Sequence, residues 1–66
     1  MKVILNGEEQ PLEINHTILS LLNLTGYSEK LVAVAVNGTF IPKTSYTEIR
    51  INDGDKIEIV APMQGG

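Results

Sequence analysis

The sequence has no cysteine, one histidine, five basic residues and no long apolar run among its 66 positions. Without cysteine, no disulfide, thiolate metal site or persulfide can form on the chain. With His16 as the sole imidazole, a conventional catalytic constellation is hard to assemble. Placed just ahead of Thr17, His16 reads as a half-exposed residue at a helix entrance rather than a general base or metal ligand. The basic residues are scattered through an acidic chain of net charge −3 and pI near 4.8, which argues against nucleic acid as a partner and favours basic docking surfaces. No stretch approaches the roughly 20 apolar residues of a membrane span, and Met1-Lys2-Val3 leads into strand pattern rather than a signal peptide. A soluble, cytoplasmic protein with no membrane partner is the expectation.

Also missing is any glycine-rich run. Gly7, Gly26, Gly38 and Gly54 stand singly, as turn glycines do, so the chain has no phosphate-cradling loop and is expected to bind no nucleotide or other cofactor itself. Asp53 and Asp55 flank Gly54 without the further spaced oxygen ligands of a Ca²⁺ loop, and they read as a turn. No metal site is expected.

What is present is a strand-rich pattern. Lys2-Val3-Ile4-Leu5 closes on Asn6-Gly7, a dipeptide suited to a tight hairpin turn. The return strand is expected to carry Leu12 and Ile14 on one face, and Pro11, which lacks an N–H, places it at the sheet's rim. Thr17 then caps a helix of about two turns, in which Ile18, Leu21 and Leu22 share one face and Gly26 is the stop; Asn15 is a competing cap. Leu31 to Val36 is the clearest strand, with β-branched valines facing the helix and alanines between them. Asn37-Gly38 turns the chain into Thr39-Phe40-Ile41, which Pro42 ends. A single helical turn is expected near Ser45 to Glu48. After the Asp53-Gly54-Asp55 turn, Lys56 to Val60 is the last strand, with Ile57 and Ile59 inward.

Hairpin, helix, strand, short strand and strand make an α+β chain. A right-handed crossover places the last strand parallel to the first in mid-sheet, the β-grasp (ubiquitin-like) arrangement of four to five strands with one main helix on one face. One domain over residues 1–61 is expected, followed by a flexible tail at 62–66. Alternation then puts Ile4, Ala33, Ala35 and Val60 on the face away from the helix, a candidate partner-docking face with Met63 beside the tail.

The sequence ends in Gly65-Gly66. Gly has no Cβ, so these residues can extend into a channel too narrow for any other side chain, and Gly65 is the residue required for that access. A carboxylate on Gly66 is a poor electrophile until an oxygen becomes a leaving group. Adenylation by a separate ATP-using enzyme achieves this, after which a sulfur nucleophile displaces AMP and leaves a thiocarboxylate; an amine would instead leave an amide. Without cysteine, Gly66 is the plausible site for covalent sulfur cargo.

The pattern Val36-Asn37-Gly38-Thr39-Phe40-Ile41-Pro42-Lys43, then Asp53-Gly54-Asp55-Lys56-Ile57-Glu58-Ile59-Val60, then Gly65-Gly66 resembles the ThiS family of thiamine-biosynthesis sulfur carriers over nearly the whole chain. Lys43 stands where that family often has Arg, and Pro62-Met63-Gln64 is a variable approach to the tail. The resemblance implies a carrier that is the substrate of other enzymes rather than an enzyme. Its implied partners are a ThiF-like adenylyltransferase that uses ATP, a sulfur donor such as a cysteine desulfurase, and a ThiG-like thiazole synthase. Alternatives are a molybdopterin-synthase small-subunit type of carrier, a ubiquitin-like protein modifier and a non-covalent interaction module with an incidental Gly-Gly.

Overall fold

The computed structural model describes residues 1–13, 16–28 and 30–61. Five strands form one mixed sheet in the order β2-β1-β5-β3-β4, where β1 is Lys2–Leu5, β2 Glu8–Pro11, β3 Ala33–Val36, β4 Thr39–Ile41 and β5 Lys56–Val60. The two hairpins are antiparallel, and β5 lies between them, parallel to β1 and antiparallel to β3. This is the β-grasp topology expected from the element order.

Both hairpins turn on Asn-Gly pairs with φ positive at each position, 50° and 86° at Asn6-Gly7 and 52° and 87° at Asn37-Gly38. That is the signature of the type I′ turn, whose twist matches the strands it joins. Pro11 falls on the edge strand β2, where its missing donor costs no ladder bond.

Helix α1, Ile18–Thr25, begins at Thr17 in extended conformation and ends at Gly26 in the left-handed conformation. All four N–H groups that a helix start leaves unpaired find partners. Thr17 N–H donates to Ser20 Oγ and Ser20 N–H to Thr17 Oγ1, while Ile18 and Leu19 N–H donate to the carbonyls of Ile49 and Tyr46 at 3.1 and 3.0 Å. At the other end Tyr27 N–H reaches back to the Leu22 carbonyl, closing a Schellman-type stop. Ile18, Leu21 and Leu22 are buried in one cluster with Val3, Val32, Val34, Ile57 and Ile59. Burial of side chains of this size contributes about 2 kcal/mol each, which holds a helix too short to persist alone.

The return strand bears out its pattern at Leu12: β2 is bounded at Pro11, but Leu12 continues the pairing, exchanging backbone hydrogen bonds with Met1 at 2.7 and 2.8 Å, and its side chain is buried in the core. Ile14 and Asn15 lie outside the described residues. Two local expectations shift. Strand β3 starts at Ala33 because Leu31 N–H donates to the Ser28 carbonyl in a turn, leaving Val32 buried ahead of the ladder. The helical turn of the crossover starts earlier, as a 3₁₀ turn at Lys43–Ser45, and carries on through Glu48 and Ile49 N–H bonds to the Ser45 carbonyl. That segment also supplies Tyr46, 1% exposed and the largest fully buried side chain among the described residues, together with buried Ile51.

Candidate functional site

Strand β5 is the central strand and leads directly toward the residues after Ala61. Its neighbours grip it with side chains as well as backbone. Asn6 N–H donates to the Ile57 carbonyl, and Asn6 Oδ1 accepts from Ile59 N–H at 2.8 Å, so the carboxamide extends the β1–β5 ladder. Across the strand, Asn37 N–H donates to the Lys56 carbonyl while Asn37 Oδ1 accepts from Lys56 N–H at 3.0 Å. The Asn37 Nδ2 donates to Asp55 Oδ1 at 3.0 Å, and Asp55 Oδ2 accepts from Asn52 N–H at 2.8 Å. Asp53 Oδ1 takes the Lys2 N–H at 2.8 Å. The turn aspartates thus serve as acceptors that pin the entry to β5, which is how an almost buried Asp55 is satisfied. Sequence patterning identifies these residues as turn formers; their carboxamide and carboxylate bonds follow only from the pairing of distant strands.

The sheet face away from the core carries alternate residues of each strand. Ladder register pairs Ala33 with Val60, and sets Ala35 opposite Phe40 on one side and Glu58 on the other. Of the candidate docking residues, Ala33 and Val60 are exposed, Ile4 is half-buried, and Ala35 is only 3% exposed between its two larger neighbours, leaving its own side chain almost no accessible surface. Phe40, the single phenylalanine of the sequence and absent from the alternation-based set, is 67% exposed on edge strand β4. Its short strand gave no alternation signal of its own.

Two shallow grooves mark this side. One, of about 650 Å³, lies between the Asn-Gly turns over Ile4 and Glu58; the other, of about 290 Å³, is lined by Lys30, Leu31, Val32, Ala33, Lys43 and Val60 where β5 ends. Lys43 Nζ donates to the Val32 carbonyl at 3.0 Å, which holds one cationic stem beside an apolar floor. Met63, Gly65 and Gly66 lie outside the described residues.

His16 is half-buried at the helix entrance, as its position implies. Its Nδ1 lies 3.0 Å from Ser20 Oγ, and its carbonyl accepts from Ile51 N–H. No helix among the described residues is long and apolar enough to cross a membrane.

A helix packed on one face of a five-stranded mixed sheet with β1 and β5 parallel at its centre defines the β-grasp class of proteins. A crystal structure of the thiamine biosynthesis protein (ThiS) from Geobacter metallireducens has the same fold, with a TM-score of 0.85 over 100% of both chains at 23% identity. The ThiS family model matches residues 3–66, and the chain belongs to the ThiS family. It is 41% identical over 64 residues to the sulfur carrier protein ThiS of Thermus thermophilus, an alignment covering 97% of this chain and 98% of that one. It is also 44% identical over 66 residues to the thiazole synthase of Paramagnetospirillum magneticum; the alignment takes in all of this chain, which spans 20% of that protein's length.

Proposed function

We propose that the chain is a sulfur carrier of thiamine biosynthesis, with the cargo on the carboxylate of Gly66. The observation that carries this reading is the family match reaching residue 66, supported by 41% identity along nearly the full length of a protein named as a sulfur carrier. A Gly66 carboxylate oxygen attacks the α-phosphorus of ATP in a partner adenylyltransferase, and pyrophosphate leaves. A sulfur nucleophile then attacks the acyl carbon and AMP departs, leaving a thiocarboxylate that donates sulfur to the thiazole ring. In these steps the chain is a substrate and the partners are the enzymes.

The role of the fold is positioning. Residues 61–66 span at most roughly 20 Å when extended, enough to reach into a neighbour's active site while the body docks outside it. Exposed Phe40, Val60 and Ala33 supply an apolar contact area on the open face. Thiazole synthase as the acceptor partner is supported by the relative of that name, one fifth of whose length aligns with this whole chain.

Incubation with ATP, the cognate adenylyltransferase and a sulfur source should add about 16 Da by intact-mass spectrometry, as sulfur replaces one carboxylate oxygen. Deleting Gly66 should abolish the gain without unfolding the body. Sulfur acquired by the deletion variant would overturn the reading, and amide linkage of the wild type to lysines of other proteins would favour a protein modifier.

A further inference from the structure

The chain contains two Asn-Gly dipeptides with nearly the same φ angles, yet different side-chain restraint. In such a pair the glycine amide nitrogen can attack the asparagine Cγ, since no Cβ hinders its approach. An N–C bond forms, the Cγ–Nδ2 bond breaks, and ammonia leaves with the amide proton, giving a cyclic imide. Water then opens either imide C–N bond to yield aspartate or isoaspartate, with no change in oxidation state. The attack requires the carboxamide to leave its hydrogen-bonded orientation.

Asn6 gives up one side-chain bond to do this, the 2.8 Å contact to Ile59 N–H. Asn37 gives up two, one at each end of the amide: Oδ1 from Lys56 N–H, and Nδ2 from the Asp55 carboxylate. Bonds to a charged acceptor are the stronger kind, and here the carboxylate holds the very nitrogen that must depart. The consequences differ as well. A carboxylate at position 6 still accepts from Ile59 N–H, whereas one at position 37 faces the nearly buried Asp55 carboxylate in place of a donor.

We propose that Asn6 is the site of spontaneous deamidation in the folded protein, and that Asn37 is shielded by Asp55 while the fold is intact and becomes reactive when the chain unfolds. The full-length protein, aged in mildly alkaline buffer and mapped by peptide mass spectrometry, should gain about 1 Da at Asn6 roughly tenfold faster than at Asn37, the difference one additional charge-assisted bond makes to a rate. In concentrated urea the two sites should react at comparable rates. Asp55→Asn should accelerate the reaction at Asn37 and leave Asn6 unchanged, with circular dichroism reporting that the variant is folded. Equal rates in the native protein, or a difference that persists in urea, would overturn the proposal, as would a folded Asp55→Asn protein with an unaltered rate at Asn37. Should Asp55→Asn fail to fold, the native and urea rates of the wild type decide the matter.

Discussion

At the scale of single residues, side chains that a sequence reader assigns to turns act as fasteners of the central strand. Asn37 is held from both ends of its amide, so Asn37→Asp sets a carboxylate against Asp55 and should lower stability by about 1–2 kcal/mol. Asn6→Asp keeps the acceptor for Ile59 N–H and should cost less than about 1 kcal/mol. Urea denaturation of the two variants gives the comparison, and equal losses would show that the Asn37–Asp55 bond adds nothing. Tyr46 offers a second test of what burial contributes. Its hydroxyl donates to the Val32 carbonyl over a long 3.5 Å, while its ring is 1% exposed. Tyr46→Phe should therefore shift stability by less than about 1 kcal/mol, and Tyr46→Ala by about 3–5 kcal/mol, through the cavity it leaves.

At the scale of elements, α1 shows how a helix of eight residues is stabilised at its ends as well as along its apolar face. Thr17 and Ser20 exchange bonds in a capping box, and the crossover segment contributes two carbonyls to the remaining N–H groups. Thr17→Ala should lower the unfolding free energy by about 1 kcal/mol, read from the denaturation midpoint at unchanged slope. At the far end, Gly26 has φ of 86° with no atom near the position of an added Cβ. Gly26→Ala should thus cost about 1 kcal/mol from backbone conformation alone, with no steric clash to add to it. A neutral result would mean that the helix end relaxes out of the left-handed conformation.

At the scale of the whole molecule, one sheet face builds the core and the other carries the exposed side chains of Phe40 and Val60. Ala35, although it alternates with core valines, is covered by its surroundings, so Ala35→Asp would introduce a charge that must be desolvated in the free protein. Phe40 and Val60, both exposed, are the positions at which the proposed docking can be tested apart from folding. Phe40→Asp should leave the circular dichroism spectrum and denaturation midpoint close to wild type while weakening binding to the adenylyltransferase by about tenfold or more, as loss of an aromatic anchor does. Unchanged affinity in a binding isotherm would place the docking surface elsewhere on the molecule.

The features legible in the sequence are those decided by neighbouring residues. Asn6-Gly7 and Asn37-Gly38 dictate type I′ turns because they accept positive φ, Thr17 and Gly26 bracket a helix by satisfying its end groups, and the valine–alanine alternation assigns β3 two faces. The β-grasp topology follows from the order of these pieces, and the candidate cargo site from Gly65-Gly66 and the absence of cysteine. Tertiary structure decided the rest, because the groups involved meet only when distant strands pair. Asn6 and Ile59 are 53 positions apart, so no local pattern shows that one carboxamide extends the ladder to the other strand. Likewise the irregular segment from Lys43 to Ile51 has little periodicity to read, yet it fills the core with Tyr46 and Ile51 and caps the helix. The exposure of Phe40 and the burial of Ala35 depend on which strand lies at the sheet's edge and which within it, and that is set by the whole sheet rather than by either strand's sequence.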